Sequence, residues 1–232
     1  MAPLLITTAI QPPANVYVLK MTLVEKRVGL AKAAVFFWAG LGMKRIVVAD
    51  ATEKTLLTDE DVRMLSAMGV ELEQIRYRQN DKIVVEKGKG YGEGALINFA
   101  LRNSTLLRDA NHFYKCTGKT YCRNFAAIDG VIRQNSIQNV FWQEPLKDSI
   151  DTRFFYTSKH FCEHFLLPSY ETIDDRGGVP AEHVVYELVR SKLTYGHSFR
   201  PLLAGFSGSL DRPYPDHSLG YLDYQFPCWL SR

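Results

Sequence analysis

Two short apolar runs rich in β-branched residues, at 4–10 and 45–50, and a third candidate strand of less clean alternation at 70–77 are separated by two stretches whose apolar residues recur at helical spacing. This alternation narrows the fold more than any other feature of the chain. In the first helical stretch, residues 24–41, the repeat is carried by Val28, Ala31, Val35, Trp38 and Leu41, and Gly42 follows as a natural stop. Thr58, with Asp61 three residues on, has the form of a capping box opening a second helix that closes at Gly69. Gln11-Pro12-Pro13 ends the first run, because proline removes a ladder donor. Strand, helix, strand, helix, strand at such short intervals is the pattern of parallel βαβ units. Their crossovers are right-handed and their binding sites lie beyond the carboxyl ends of the strands.

The remainder predicts a helix over 95–101, strands at 112–114, 140–142 and 153–157, and helices over 158–167 and 180–193, with Pro180 in a first helical turn. With 46% hydrophobic and 23% charged residues, the chain has the composition of a folded globule and not of a disordered or low-complexity one. Its 232 residues suit one domain. We therefore expect a single α/β domain over 1–232, softly divided into a regular half, 1–135, and a less regular half, 136–232. The four cysteines form no CxxC pair, the opening Met1-Ala2-Pro3 lacks the basic start and long apolar run of a leader, and no stretch could span a bilayer. The expectation is a cytoplasmic protein with reduced thiols. Tyr221, Tyr224, Phe226 and Trp229, beside Arg232, either pack on the domain or make a peripheral contact with the inner face of a membrane.

Two segments carry chemistry. Glycines 88, 90, 92 and 94, read as a loop opening a helix, would let the backbone approach a ligand, and a helix start favours an anion, with Lys87 and Lys89 adding charge. The segment is neither a P-loop nor a dinucleotide fingerprint. Lys115-Cys116-Thr117-Gly118-Lys119, with Arg123 after it, is basic at the end of the next strand. Between Arg76 and Arg123 lie ten basic and four acidic residues, whereas the whole chain has 28 and 25. A basic centre in an otherwise mildly acidic chain suits a small polyanion better than a nucleic acid.

Taken in order, Ile6-Thr7-Thr8-Ala9-Ile10, then Gly88-Lys89-Gly90-Tyr91-Gly92-Glu93, then Phe113-Tyr114-Lys115-Cys116-Thr117-Gly118-Lys119, and finally Gly205-Phe206-Ser207-Gly208-Ser209, the chain resembles a family of glycosyltransferases of bacterial capsule and lipopolysaccharide loci. The resemblance covers nearly the whole chain. It implies a GT-A-like Rossmann architecture, a mostly parallel sheet flanked by helices, and sugar transfer from a nucleotide-activated donor to a glycan or lipid-linked acceptor in surface polysaccharide synthesis. GT-A enzymes usually carry a metal-binding DxD motif where this chain carries the basic segment. Lysine or arginine can stabilise a leaving diphosphate as a metal does, so the resemblance implies no metal and no cofactor beyond the donor itself. Family members carry arginine where this chain has Lys119, which keeps the charge and loses the bidentate fork. Thr7, Thr8, Asp50 and Arg27 would then face the nucleotide, with residues 87–93, Lys115, Thr117, Gly118, Lys119, Arg123 and Ser207 completing the donor site.

A transferase of this kind uses a carboxylate to take the acceptor's proton. Asp151, Asp174, Asp175 and Glu182 are candidates, and Glu182 is preferred because it opens a helix behind the loop Asp174-Asp175-Arg176-Gly177-Gly178. Acidic residues also stabilise a first helical turn without any catalytic part, and Asp50 could equally cap its own turn. Two other readings stay open: His160-Phe161-Cys162-Glu163-His164 matches the HxxEH pattern of zinc hydrolases, and a non-catalytic nucleotide- or glycan-binding subunit would need the same basic cleft.

Overall fold

The structure, a computed structural model, describes residues 1–144, 148–214 and 226–232. The chain runs β1 (Leu4–Thr8), α1 (Val24–Gly40), β2 (Arg45–Asp50), α2 (Asp59–Ala67), β3 (Glu71–Arg76), α3 (Asp81–Lys87), α4 (Lys89–Asn103), α5 (Thr105–Arg108) and β4 (His112–Thr117). It continues with β5 (Thr120–Cys122), α6 (Phe125–Gln134), β6 (Asn139–Gln143) and β7 (Ile150–Ser158). Then come α7 (Lys159–Phe161), a π-helical turn (Cys162–Leu166), α8 (Leu167–Tyr170), α9 (Ala181–Lys192), β8 (Thr194–Ser198), β9 (Leu203–Ser207), β10 (Arg212–Pro213) and β11 (Phe226–Ser231). Among the described residues no helix is long and apolar enough to cross a membrane.

The main sheet has the order β3-β2-β1-β4-β7-β6-β11-β8. Its first four strands are parallel and the rest join antiparallel, so the fold is a mixed α/β sheet flanked by helices. The parallel part matches the expected βαβ alternation, and Thr58 and Asp61 form the expected reciprocal capping box. Residue alternation splits the core into two layers. Leu4, Ile6, Ile46, Val48, Tyr114 and Phe154 face α1 and α6, while Leu5, Val47, Phe113, Phe141 and Phe155 face α4, α8 and α9. The antiparallel half is built around aromatic pairs such as Phe141 with Phe155 and Trp142 with Phe154. Phe226 and Trp229 belong to β11, hydrogen-bonded between β6 and β8; Tyr221 and Tyr224 lie outside the described residues.

The glycine-rich segment departs from expectation. It is not a loop: α3 ends at Lys87, only Gly88 intervenes, and Gly90, Gly92 and Gly94 are buried within α4. Close packing explains it. A Cβ on Gly94 would stand 2.5 Å from the Tyr170 ring, one on Gly92 3.1 Å from Val84, and one on Gly90 3.0 Å from Ala181. Gly88, at φ 105°, would meet the Asp175 carboxyl. Pro180 is the N-cap of α9 and stands just outside the first turn.

Gly94→Ala should therefore lower the melting temperature, although alanine in a helix normally gains about 1 kcal/mol over glycine. Gly130, in α6, has nothing within 4 Å of the corresponding position, so Gly130→Ala should raise it. A thermal melt in which both variants move the same way would contradict the packing account.

Candidate functional site

The carboxyl ends of β1 and β4, where the parallel strand order reverses direction, open onto a cleft of about 250 Å³. This is where a doubly wound sheet binds ligands. Thr7, Thr8, Arg27, Lys89, Gly90, Gly92, Glu93, Thr117, Gly118, Lys119 and Glu182 line it, together with Gln79, Thr152, Arg153, Asp175, Phe206, Gly208, Ser209 and Tyr214. Pro12, Pro13, Val16 and Leu19 form an apolar outer wall. That wall is tied to the turn after β9 by Lys20 and Met21 N–H groups donating to Gly208 O at 3.3 and 3.1 Å.

Two cations dominate one end. Arg27 is 5% exposed, and it donates from Nε to Ala9 O at 2.7 Å and from Nη1 to Met21 O at 2.9 Å. Burial lowers its pKa against the raising effect of Asp50. Lys119 is 8% exposed, holds φ at 72° in the turn between β4 and β5, and has no hydrogen-bond or ion-pair partner for its ammonium among the described residues. Burial, reinforced by Arg27, pushes its pKa down to about 7. The two side chains converge: a Cβ on Gly208 would lie 3.6 Å from Arg27 Nη1 and 3.8 Å from Lys119 Nζ. A pair of buried cations, one of them without a partner among the described residues, has the electrostatics to hold an anion.

Carboxylates occupy another part of the lining. Glu182 is half-buried at the start of α9, and burial raises its pKa. Asp175 is raised for the same reason, and its Oδ2 accepts from Gly90 N–H at 3.1 Å. Lys89 reaches over to Ser209 Oγ.

Several residues expected at the site are committed elsewhere. Lys115 is completely buried, and its ammonium meets Glu93 Oε1 at 2.7 Å, Thr152 O at 2.8 Å and Thr117 Oγ1 at 2.9 Å. All three of its donors are spent, so it does not hold a ligand's phosphate. Asp50 accepts from Thr8 Oγ1, Ile10 N–H, Thr52 N–H, Thr52 Oγ1 and Lys54 N–H; it caps its own turn and leaves the cleft to its neighbours. Lys87 donates to Glu171 O at 3.1 Å and covers the Tyr91 ring, which takes both away from the cleft. Gly88 packs on Asp175, whose carboxylate fills the helix start that the glycines were expected to offer to an anion. Arg123 is exposed in a neighbouring depression beside Tyr121 and Phe37. Ser207 Oγ accepts from Leu210 N–H within a turn.

Of the acidic candidates, Asp151 is engaged by both Arg153 Nε and Nη2, at 2.7 and 2.6 Å. Asp174 accepts from Gly177 N–H at 2.8 Å and closes a turn with Val179. Neither lines the cleft. His160, Glu163 and His164 are exposed, and the two rings lie 4.5 Å apart. Among the described residues no group of three His, Cys, Asp or Glu side chains is placed to hold a metal ion. All four cysteines are free and buried. Gln79, Arg153 and Tyr214 carried no sequence signal, and Ser209 entered only as the last residue of the Gly205 to Ser209 block. The Asp174-Asp175 pair did, and the structure assigns its second member to the cleft. Compared with known proteins, the sequence matches no family model and no curated protein.

Two stability tests follow from the buried charges. Removing Lys115 strands Glu93, so Lys115→Met should cost about 3 kcal/mol or more, and adding Glu93→Gln should recover part of it; chemical denaturation of wild type and the two variants measures this. Lys119 acts oppositely. Its folded pKa lies below the unfolded value, so below about pH 7 the folded state bears the full penalty of its buried charge, which fades as pH rises toward the unfolded value. Lys119→Met should raise the melting temperature at pH 6 by about 3 °C or more, and by less at pH 9.

Proposed function

We propose that this chain is a glycosyltransferase of GT-A-like architecture that uses a nucleoside diphosphate sugar as donor and a glycan or lipid-linked acceptor. The single observation that carries this reading is the convergence of Arg27 and Lys119 at the end of β1 and β4, across a cleft that also holds Glu182. Transfer breaks the bond between the anomeric carbon and the donor's phosphate oxygen, and the electron pair leaves with the diphosphate. Fixed positive charge where that negative charge develops lowers the barrier. Arg27 and Lys119 supply it in a buried setting where charge is weakly screened, with Lys89 at the rim. The resemblance noted above points to sugar transfer as the chemistry, and the basic residues at this strand end support a reaction that needs no metal.

The acceptor hydroxyl must lose its proton as it attacks. Glu182, with its pKa raised by burial, is a stronger base than a solvated carboxylate and is our choice for that role. Asp175 is assigned a structural part, since it holds the start of α4. Thr7 and Thr117, both donating to Glu93 Oε1, shape the floor between the two ends.

A thermal-shift screen with UDP, GDP, CMP and dTDP, each with and without EDTA, tests the reading. At least one nucleotide should stabilise the protein, and EDTA should leave that shift unchanged; no stabilisation by any of them would defeat the proposal, and a shift abolished by EDTA would defeat its metal-independent part. Glu182→Gln should keep the nucleotide shift and lose about a hundredfold in transfer or donor hydrolysis. Nucleotide binding by wild-type protein without any turnover would instead describe an accessory subunit.

A further inference from the structure

We propose that Gln79 reads the nucleobase of the donor, an inference that rests on the nucleotide-sugar reading above. Gln79 lies just past β3, and its backbone N–H donates to Ala51 O at 3.2 Å, while Ala51 N–H donates to Thr8 O at 2.9 Å. The segments leaving β3, β2 and β1 are thereby stitched side by side at the carboxyl edge of the sheet. Gln79 is 8% exposed and lines the cleft, yet its side-chain amide has no hydrogen-bond partner among the described residues. The amide is not among the fully sealed, unpartnered polar atoms of the described residues, which are Thr120 Oγ1 and Tyr170 Oη, so at the cleft it lines it is left to pair with solvent or with a ligand.

The surroundings define that partner. Ala9, Ala51, Val84 and Leu96 line the same cleft with apolar surface, and Gly92 withholds a side chain where a Cβ would stand 3.2 Å from Gln79 Oε1. A flat, mostly apolar group with a donor and an acceptor side by side on its edge fits such a place. The carboxamide presents the complementary acceptor and donor, and a nucleobase edge is the ligand chemistry that meets both requirements.

Strand order fixes the rest of the nucleotide. From β3 to β4 the sheet steps through β2 and β1, and at about 4.8 Å per step this separates the two positions by roughly 14 Å. The base sits past β3 at Gln79, the ribose crosses the ends of β2 and β1 near Thr8 and Ala51, and the diphosphate reaches Arg27 and Lys119. Base and phosphates are thus read by different strand ends, and a change at Gln79 alters affinity for the nucleoside without touching the anion seat.

Calorimetric titration of wild type, Gln79→Leu and Gln79→Glu with UDP, GDP, CDP and inorganic pyrophosphate separates these contributions. The nucleoside diphosphate that binds wild type should bind either variant about tenfold or more weakly, while pyrophosphate binding stays as in wild type. The unliganded melting temperature of the variants should not fall, because the native amide makes no internal hydrogen bond. Unchanged nucleotide affinity in both variants, or an equal loss for pyrophosphate, overturns the assignment of Gln79 and leaves the nucleotide reading standing. Wild-type protein that binds none of the three nucleoside diphosphates, and no dTDP either, overturns both. If Gln79→Leu does not fold, Gln79→Glu, which keeps the shape and the acceptor but removes the donor, decides by the same comparison.

Discussion

Lys115 places an ammonium in the middle of the sheet, where the parallel strand β4 meets the antiparallel strand β7, and Glu93 of α4 reaches it at 2.7 Å. Isolated, either charge would be too costly to keep at that depth. Together with hydrogen bonds to Thr117 and Thr152, and with Thr7 donating to the same carboxylate oxygen, they form a satisfied network. Burial alone would raise the Glu93 pKa; the charge of Lys115 and the hydrogen bonds from Lys115, Thr7 and Thr117 outweigh it and hold the group ionised. The network joins the ends of β1, β4 and β7 to the first half of α4. Those are the elements that form the floor of the cleft, so the pair holds the floor rigid and is not available to a ligand.

The glycines of α4 serve the same end. Without side chains, the helix lies close enough to Tyr170, Val84 and Ala181 for Glu93 to reach Lys115, and the loop at 174–178 folds over the helix start. There Asp175 accepts the Gly90 N–H, the place an anion would otherwise occupy. Glycine density therefore reports helix packing here, whereas in a phosphate-binding loop it reports an exposed backbone. A one-dimensional pattern does not distinguish the two, because both require an absent Cβ.

The parallel half was legible because its signals are local. Runs such as Ile46 to Ala49, buried on both faces, have few alternatives to a central strand, and the Thr58 box marks its helix within four residues. The site was less legible because its assignments depend on which donors and acceptors are already spent. Lys115 and Lys119 stand four residues apart in one motif, and only their surroundings separate a saturated ammonium from an unpaired one. Arg27 lies in α1 and owes its burial to the loop at Ala9 and Met21, which closes over it. Gln79 has no motif at all; its interest arises from an amide that lines the cleft with no hydrogen-bond partner among the described residues.

Charge counting along the chain misleads for the same reason. Of the ten basic residues between Arg76 and Arg123, only Lys89 and Lys119 line the cleft, and Arg27 and Arg153 reach it from outside that interval. Arg153 is already neutralised by Asp151, so the field at the ligand's position comes chiefly from Arg27 and Lys119. Burial makes that field strong and also makes it conditional, since a lysine pushed down to about 7 is only partly charged near neutral pH. In the proposed donor complex a diphosphate would favour the protonated form of Lys119, and binding would then couple to proton uptake there. An arginine there would be charged throughout, whereas the charge of this lysine depends on what lies beside it.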